Sequence, residues 1–368
     1  MANPMLCSPN YIDNTFSSVV IGGGAWTLPP ENLKNEAFGK VCQSATAAAN
    51  DTRFDVDLGQ LRGIQAFAFP YHNLRLSGQY RARGSSVIKW QGATVASNAS
   101  LGASSMVFQA GATAVNVAAG EIFKIAGDST IYKATNTIAI AAGGTGSVSI
   151  SPVLTAAATS TTAITCNSGD FSAPEIDTGQ IDAFSVIYPF GSIDYTHPSW
   201  WTGLPTEEQR QNEKFPIVKV FPLTVTRYWR FEFFDTTNPD GFVRFPRLFL
   251  VPGYQASIGI GYGAEHGFTT DTQVETALGG RRIYSRQPTV RTLRFGLPYL
   301  SADEAYSNVF DLIRDVGIDK QLFFIFDPAD VELMHRRAFA ATLSQLTPLQ
   351  YPYYDNISAA FELREVVA

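Results

Sequence analysis

The four histidines are the first residues to consider for catalysis or metal binding, because imidazole can act as a general base and as a metal ligand. They are His72, His197, His266 and His335. No two of them have the HExxH or HxH spacing that brings two imidazoles together on one helix or strand. The sequence also contains no GxSxG motif and no Walker loop. We therefore predict a protein that is not an enzyme, with no catalytic residue, no cofactor and no metal site.

A glycine-rich segment at 259–263, Gly-Ile-Gly-Tyr-Gly, has a spacing that superficially suggests a nucleotide-binding loop. Such a motif is specific only between a strand and a helix. Here the glycines alternate with Ile260 and Tyr262, and a two-residue period is typical of a strand. We therefore favour a strand and expect no bound nucleotide.

The segment 235–241, Asp-Thr-Thr-Asn-Pro-Asp-Gly, could place several oxygen atoms around a calcium ion. It lacks the ligand spacing of an EF-hand loop. Asn-Pro-Asp-Gly is also a common turn sequence, since each of these residues favours a turn for its own physical reason. We favour an ordinary turn and keep a calcium site as the alternative.

Exposed aromatic residues are predicted in the loop 195–212, which contains His197, Trp200 and Trp201. Such side chains can anchor a protein partner or stack on the rings of a glycan. They could equally cap the core of the domain that carries the loop. Both interpretations stay open, and within the first we favour contact with a protein over contact with a sugar.

A second pair of candidate contact residues is Arg336 and Arg337. Asp327 and Asp330 are typical of a helix N-terminus, so they predict a helix that begins near residue 327. The two arginines would lie near its end, where positive charge suits the helix dipole. They are also candidates for a subunit interface.

The composition is that of a folded, aromatic-rich chain and not of a disordered one. Of the 368 residues only 16% are charged, while 26 are Phe and 15 are Tyr. The formal net charge of −6 argues against a nucleic-acid partner. No signal peptide and no membrane segment are predicted, because no apolar run reaches the length of about 18 residues that a spanning helix needs. The cysteines, Cys7, Cys42 and Cys166, are predicted to be buried or free thiols.

The residues that follow Gln287 predict a compact packing unit. Strands are predicted at 289–297 and 321–326, and the second has an unbroken apolar run typical of a strand covered on both faces. Between them Ser301 and Glu304 have the spacing of a capping box, and Gly317 follows where a helix should end. The predicted apolar stripe of this helix consists of Ala302, Ala305, Tyr306, Val309, Phe310, Ile313 and Val316. An aspartate at Phe310 is therefore expected to disrupt the core.

The composition changes sharply at residue 91. From there to about residue 168 the chain is rich in Ala, Gly, Ser and Thr, but it keeps short apolar strands separated by turns. We predict a small β-barrel or sandwich at 91–168, inserted into a β-sandwich formed by 1–90 and 169–254. A third unit covers 255–368. The fold class is mainly β with a few helices.

Several segments resemble known families. Segments 62–74, 228–241 and 247–250 resemble the discoidin or galactose-binding-like jelly roll of phage structural proteins. Segments 298–306, 312–317 and 322–328, together with the two predicted strands that close the chain, are similar to the C-terminal half of distal-tail or baseplate proteins, found at the tail tip of long-tailed (siphovirus-type) bacteriophages. The insert is similar to small β modules of many virion proteins.

The resemblance implies a non-enzymatic structural protein of the virion, assembled in the host cytoplasm. The C-terminal unit would be a tail-tube-like β-sandwich with one flanking helix, and it would form a ring, commonly a hexamer. Its implied partners are the tube, hub, tape-measure and fibre proteins of the tail. The alternative is a carbohydrate-binding module that contacts a host surface glycan through Trp200, Trp201 and His197.

Overall fold

A computed structural model describes residues 3–276, 278–354 and 356–367. Residues 1, 2 and 368 at the ends of the predicted domains, and residues 277 and 355 within the C-terminal unit, lie outside this part of the chain. Strands dominate the described residues, and every pairing between them is antiparallel. The prediction of a mainly β chain with few helices is confirmed.

The helices of the described residues are short. They are a 3-10 helix at Pro30–Lys34, an α-helix at Glu207–Asn212, a helix at 302–316 and an α-helix at Met334–Arg337. None of them is long and apolar enough to cross a membrane. The last helix begins later than the sequence predicts, because Asp327 accepts a hydrogen bond from the amide of Ala329 in a turn and starts no helix.

The first unit, called here the split sandwich, is a seven-stranded sheet facing a three-stranded one. The large sheet is built on two long strands, Phe54–Phe69 and Ile217–Phe234. Its other strands are Val20–Gly22, Gln79–Ser85, Ile176–Asp177, Ile181–Asp182 and Phe249–Val251. The small sheet consists of Trp26–Leu28, Cys42–Ser44 and Arg244–Phe245. Alternate residues of the long strands, such as Phe54, Phe231 and Phe233, fill the core between the sheets.

The inserted unit is a closed barrel. Its strands are Ala93–Val95, Ser105–Ala110, Ile122–Ile125, Tyr132–Ala134, Thr145–Ser151 and Ala163–Cys166, and a two-stranded sheet of Val115–Val117 and Ile138–Ile140 adjoins them. Closure leaves no free sheet edge. The small residues of this stretch suit a narrow barrel, whose interior is filled by a few large side chains such as Phe108, Phe123 and Tyr132.

The barrel is attached to the split sandwich through buried charges. Asp55 accepts two hydrogen bonds of 2.7 Å from Arg230 and one from the hydroxyl of Ser168, at the end of the barrel. Asp57 is likewise bound by Arg227 and by Asn167. Both carboxylates are fully paired, so we assign them to holding the insert and not to chemistry.

The third unit is an eight-stranded sheet, called here the C-terminal sheet. Its strands are Met5–Cys7, Tyr254–Gln255, Glu265–Thr270, Thr289–Leu300, Leu322–Ile325, Ala338–Leu343, Gln350–Tyr353 and Asn356–Glu365. The strand Leu322–Ile325 is covered on both faces, as predicted. Leu322 and Phe324 face the helix 302–316, whereas Phe323 and Ile325 pack against the split sandwich.

One strand of the C-terminal sheet comes from the other end of the chain. Met5–Cys7 lies between Tyr254–Gln255 and Leu322–Ile325. The predicted assignment of 1–90 to the first sandwich is therefore wrong for this strand. Its three residues are all buried, and pairing on both sides satisfies their backbone groups. One of the three is Cys7, a free thiol. Cys42 and Cys166, elsewhere in the chain, are also buried free thiols.

The helix at 302–316 begins and ends where the sequence predicts. The Ser301 hydroxyl accepts from the amide of Glu304 at 3.2 Å, and the Glu304 carboxylate accepts from the amide of Ser301 at 3.2 Å. Gly317 has a φ of +57°, a conformation that favours glycine. The apolar stripe predicted for this helix is wider than the face that the structure buries. Residues Glu304–Phe310 form a π-helical stretch, and Val309 is fully buried whereas Phe310 is 48% exposed.

A β-hairpin projects from the edge of the C-terminal sheet. Its strands, Gln273–Thr276 and Arg282–Ser285, pair only with each other, and every one of their residues is exposed. It continues the pair formed by Glu265–Thr270 and Thr289–Leu300. The segment 259–263, predicted as a strand, is irregular, and the strand begins at Glu265.

Candidate functional site

A cleft of about 690 Å³ opens where the split sandwich meets the C-terminal sheet. Its walls come from the segment before the strand Ile217–Phe234, from three strands of the C-terminal sheet and from the helix Met334–Arg337. The lining contains four cationic side chains and two carboxylates. The whole chain is negative, so this local excess of positive charge sets the cleft apart. Its ionisable residues include Glu213, Lys214, His266, Arg291, His335 and Arg336.

The floor of the cleft is an ion pair between Arg291 and Glu365, whose atoms Nη2 and Oε1 are 2.8 Å apart. The side chains are only 10% and 3% exposed. Arg291 also donates from Nη1 to the backbone carbonyls of His335 and Arg336, so three of its N–H groups are bound. Burial acts to raise the pKa of Glu365, but the hydrogen bonds and charge of Arg291 outweigh it and hold that pKa below its ordinary value.

His335 lies in the wall of the cleft. It is only 8% exposed, and its ring stacks on Phe215 with centroids 5.0 Å apart. The Nδ1 atom is 3.1 Å from the carbonyl oxygen of Glu332, while Nε2 has no hydrogen-bond partner among the described residues. Burial, assisted by the charge of Arg336, lowers the pKa of His335.

The opposite wall carries His266 and Phe268. The ring of His266 stacks on Phe339, and burial together with the charge of Arg291 lowers the pKa of His266. Phe268 is 73% exposed. The sequence drew attention to His266 only as one of four histidines and not at all to Phe268, because strand residues that alternate with glycine and threonine give no local sign of a cleft.

Arg336 and Arg337, the predicted interface residues, both line the cleft. The Arg337 guanidinium is paired with Asp330 at 2.8 Å. The Arg336 side chain is 59% exposed, and its guanidinium lies 3.6 Å from the carboxylate of Glu213. Their role in contacts between subunits stays a prediction.

The structure brings the predicted aromatic residues together in a second, separate site. Trp200 and Trp201 pack edge to face with ring centroids 4.5 Å apart, and Phe190 joins Trp200 at 5.5 Å. Trp201 is 85% exposed and Phe190 is 87% exposed. Trp201 therefore caps no core in this chain. Sequence reasoning missed Phe190, which is ten residues away from Trp200 and in an irregular segment.

His197 supports this aromatic loop from within. Its Nδ1 accepts a hydrogen bond of 3.1 Å from the amide of Ser199, and its ring packs edge-on against Tyr188 at 5.3 Å. These contacts hold the turn that presents the two tryptophans. We therefore place His197 as a positioning residue beside the aromatic surface.

The segment 235–241 forms the turn that the sequence favours. Asp235 is buried, and its carboxylate accepts from the amide and guanidinium of Arg75 and from the side chain of Asn238. Gly241 has a φ of +75°. The hydrogen bonds of Asp235 occupy the carboxylate that a calcium ion would need. No group of three or more metal-binding side chains occurs in residues 3–276, 278–354 and 356–367.

No protein-family model matches the chain, and no curated protein matches it. Solved structures with some likeness include the binding domain of botulinum neurotoxin DC in complex with SialylT and the same domain in complex with rat synaptotagmin II. Both are 7% identical to this chain and cover 95% of it and 89% of their own length, with TM-scores of 0.12 and 0.11. With TM-scores this low, neither likeness bears on fold or function.

Proposed function

We propose that the chain is a non-enzymatic structural component of a long-tailed phage, part of the tail tip or baseplate. In this proposal the C-terminal sheet forms a ring between the tail tube and the hub or fibres. The sequence resemblance supplies the class of assembly. The structure supports self-association through one observation, the projecting hairpin.

The hairpin exposes apolar side chains that a free monomer would not be expected to leave in water. Val274 and Tyr284 are cross-strand partners on one face and are each 52% exposed, while Ile283 is 55% exposed. A two-stranded hairpin without a covered face is marginally stable at best. Contact with a neighbouring copy would cover that face, and a head-to-tail contact forms a ring when its rotation brings the last copy back to the first.

The first prediction concerns the mass of the protein in solution. We expect the purified chain to form a closed multimer of about six copies, a number taken from the family it resembles. The double substitution Val274→Asp with Tyr284→Asp should give monomers, because two charges cannot be buried in an apolar contact. Light scattering or native mass spectrometry measures the result.

The matched control places the same charges on exposed apolar residues of the barrel, Leu101→Asp with Val153→Asp. These side chains are 68% and 49% exposed, and the variant should assemble normally. A wild-type chain that stays monomeric at every concentration and joins no particle would exclude the ring. Assembly of the hairpin variant would exclude this contact.

A second candidate function, glycan binding, rests on the aromatic loop. The indole of Trp201 is 85% exposed and packs edge to face against Trp200. Its ring offers a flat apolar surface on which a sugar ring can stack. We expect binding to host cell-wall glycans, lost in the double variant Trp200→Ala with Trp201→Ala. Tyr354→Ala, an exposed aromatic at a different site, should bind normally.

A glycan array and cell-wall extracts measure this second prediction. The tryptophan variant should still assemble, because the loop lies outside the C-terminal sheet. Absence of binding to any host extract counts against glycan recognition and leaves the ring proposal intact. Loss of assembly in the tryptophan variant would instead indicate that the loop contacts a neighbouring subunit.

A further inference from the structure

The imidazole of His335 lines the cleft and has one buried nitrogen, Nε2, without a hydrogen-bond partner among the described residues. Its Nδ1 lies 3.1 Å from a backbone carbonyl, which can only accept, so Nδ1 carries the proton. In the neutral ring Nε2 then holds a lone pair. A carboxylate oxygen of Glu213 lies 3.8 Å from Nε2, and it is also an acceptor. Two acceptors cannot bond, which explains why Nε2 has no partner.

The neighbouring Arg336 also has unused hydrogen-bonding capacity. Its guanidinium is 3.6 Å from Glu213, beyond the range of a good hydrogen bond, and it is 59% exposed. A guanidinium presents a rigid fork of donors that matches the oxygens of a carboxylate or phosphate. The Arg336 guanidinium and His335 Nε2 lie 3.6 and 3.8 Å from the two oxygens of the same Glu213 carboxylate, so both groups can address one ligand at that place.

Of the two carboxylates that line the cleft, Glu213 is the one that is not already tightly bound. Glu365 is held by Arg291 at 2.8 Å and by Lys214 at 3.3 Å, and it belongs to the floor of the cleft. Glu213 is 37% exposed and makes contacts of 3.6 and 3.8 Å only. It therefore competes weakly for the place that an incoming anion would take.

We propose that this cleft binds a small oxyanion, carried by a carboxylated or phosphorylated molecule, between Arg336 and His335. Arg336 supplies the paired donors, and His335 donates from Nε2 once that nitrogen is protonated. The exposed ring of Phe268 across the cleft gives an apolar wall against which the body of the ligand can rest. The site is independent of the ring and of the aromatic loop.

The experiment titrates the full-length protein with galacturonate, galactose and inorganic phosphate, and follows binding by calorimetry. Galacturonate and galactose differ only in the carboxylate, so binding of the first without the second assigns recognition to the anion. Binding of phosphate together with galacturonate indicates any oxyanion. Binding of phosphate without galacturonate restricts the site to phosphorylated ligands. Arg336→Gln should weaken binding about tenfold or more, the effect of losing a charge-assisted contact.

Two further variants keep the test decisive. Glu213→Gln removes the competing charge and should strengthen binding, a gain that a misfolded protein cannot imitate. Arg314→Gln, on an exposed arginine of the helix 302–316, is the matched control and should bind like the wild type. Absence of binding to both anions, or equal binding by the wild type, Arg336→Gln and Glu213→Gln, would overturn the proposal.

The site also predicts a dependence on pH. An anion beside Nε2 favours the protonated ring, so binding should take up a proton and strengthen as the pH falls from 8 to 6. His335→Asn should remove this slope, and an unchanged slope in that variant would exclude His335. The other charged or titratable groups that line the two cavities beside the ring are Tyr80, Asp182, Glu213, Lys214, His266, Arg291, Arg336, Arg337 and Glu365.

Discussion

The ion pair of Arg291 and Glu365 shows how single residues join distant parts of the chain. Arg291 lies near the start of the strand Thr289–Leu300 and Glu365 ends the neighbouring strand, while Lys214 and Tyr71 reach the same carboxylate from the split sandwich. Buried charges are stabilising only when paired, because water no longer solvates them. Glu365 therefore links the two units at the base of the cleft through its contacts with Lys214 and Tyr71.

A stability prediction follows at this scale. Because the pKa of Glu365 in the folded protein lies below its ordinary value, its contribution is present above that ordinary value and is lost as the pH falls through the folded one. Glu365→Gln should cost about 3 kcal/mol at neutral pH, since it leaves Arg291 buried without its charge partner. It should also flatten the loss of stability in acid. Urea unfolding at several pH values measures both effects.

The control is a similar pair on the same two strands. Arg294 and Glu362 are 2.9 Å apart, but the arginine is 63% exposed. Glu362→Gln should therefore cost less than about 1 kcal/mol. Equal losses in the two variants would show that burial of Glu365 is not what makes its pair matter.

At the same scale, sequence reasoning found the exposed residues of the candidate sites but not the cleft. Trp200 and Trp201 stood out because tryptophan is rare and because the sequence around them predicts a loop. Glu213, Arg291 and Glu365 are separated by long stretches of chain, and only the pairing of strands brings them together. No local sequence pattern indicates that these residues lie close together, so the cleft that they line could not be predicted.

The helix at 302–316 shows the same limit at the scale of elements. Its ends are encoded locally, by the hydrogen bonds of Ser301 and Glu304 and by Gly317, and they were predicted correctly. Its buried face depends on the sheet below it. The residues that pack there are Ala305, Val309, Leu312 and Val316, whereas Tyr306 and Phe310 lie at the margin.

The corresponding prediction compares two adjacent positions of this helix. Val309→Asp should destabilise the protein by about 3 kcal/mol or more, because it places a charge in the core. Phe310→Asp, which the sequence alone would make disruptive, should cost much less since that ring is half exposed. Thermal unfolding followed by circular dichroism measures both. A larger loss at Phe310 than at Val309 would contradict the observed packing.

At the scale of the whole molecule, the shift in composition at residue 91 predicted where a separate β module begins. The chain leaves the split sandwich near Lys89 and returns at Ser168, whose carbonyl accepts a hydrogen bond of 3.0 Å from the Lys89 amide. What the sequence could not predict is the mutual burial of the two larger units. Alternate residues of Leu322–Ile325 belong to two different cores, and an apolar run does not say which neighbours cover it.

The strand Met5–Cys7 also sets an order of events during synthesis. Its partner Leu322–Ile325 lies roughly 300 residues further along the chain, and closing a loop of that length costs about 5 kcal/mol of chain entropy. A ribosome adds about 5–20 residues per second, so the early strand waits many seconds before its partner exists. The pairing of this strand with a neighbour on each side, which buries Met5, Leu6 and Cys7, is therefore among the last parts of the native structure to form.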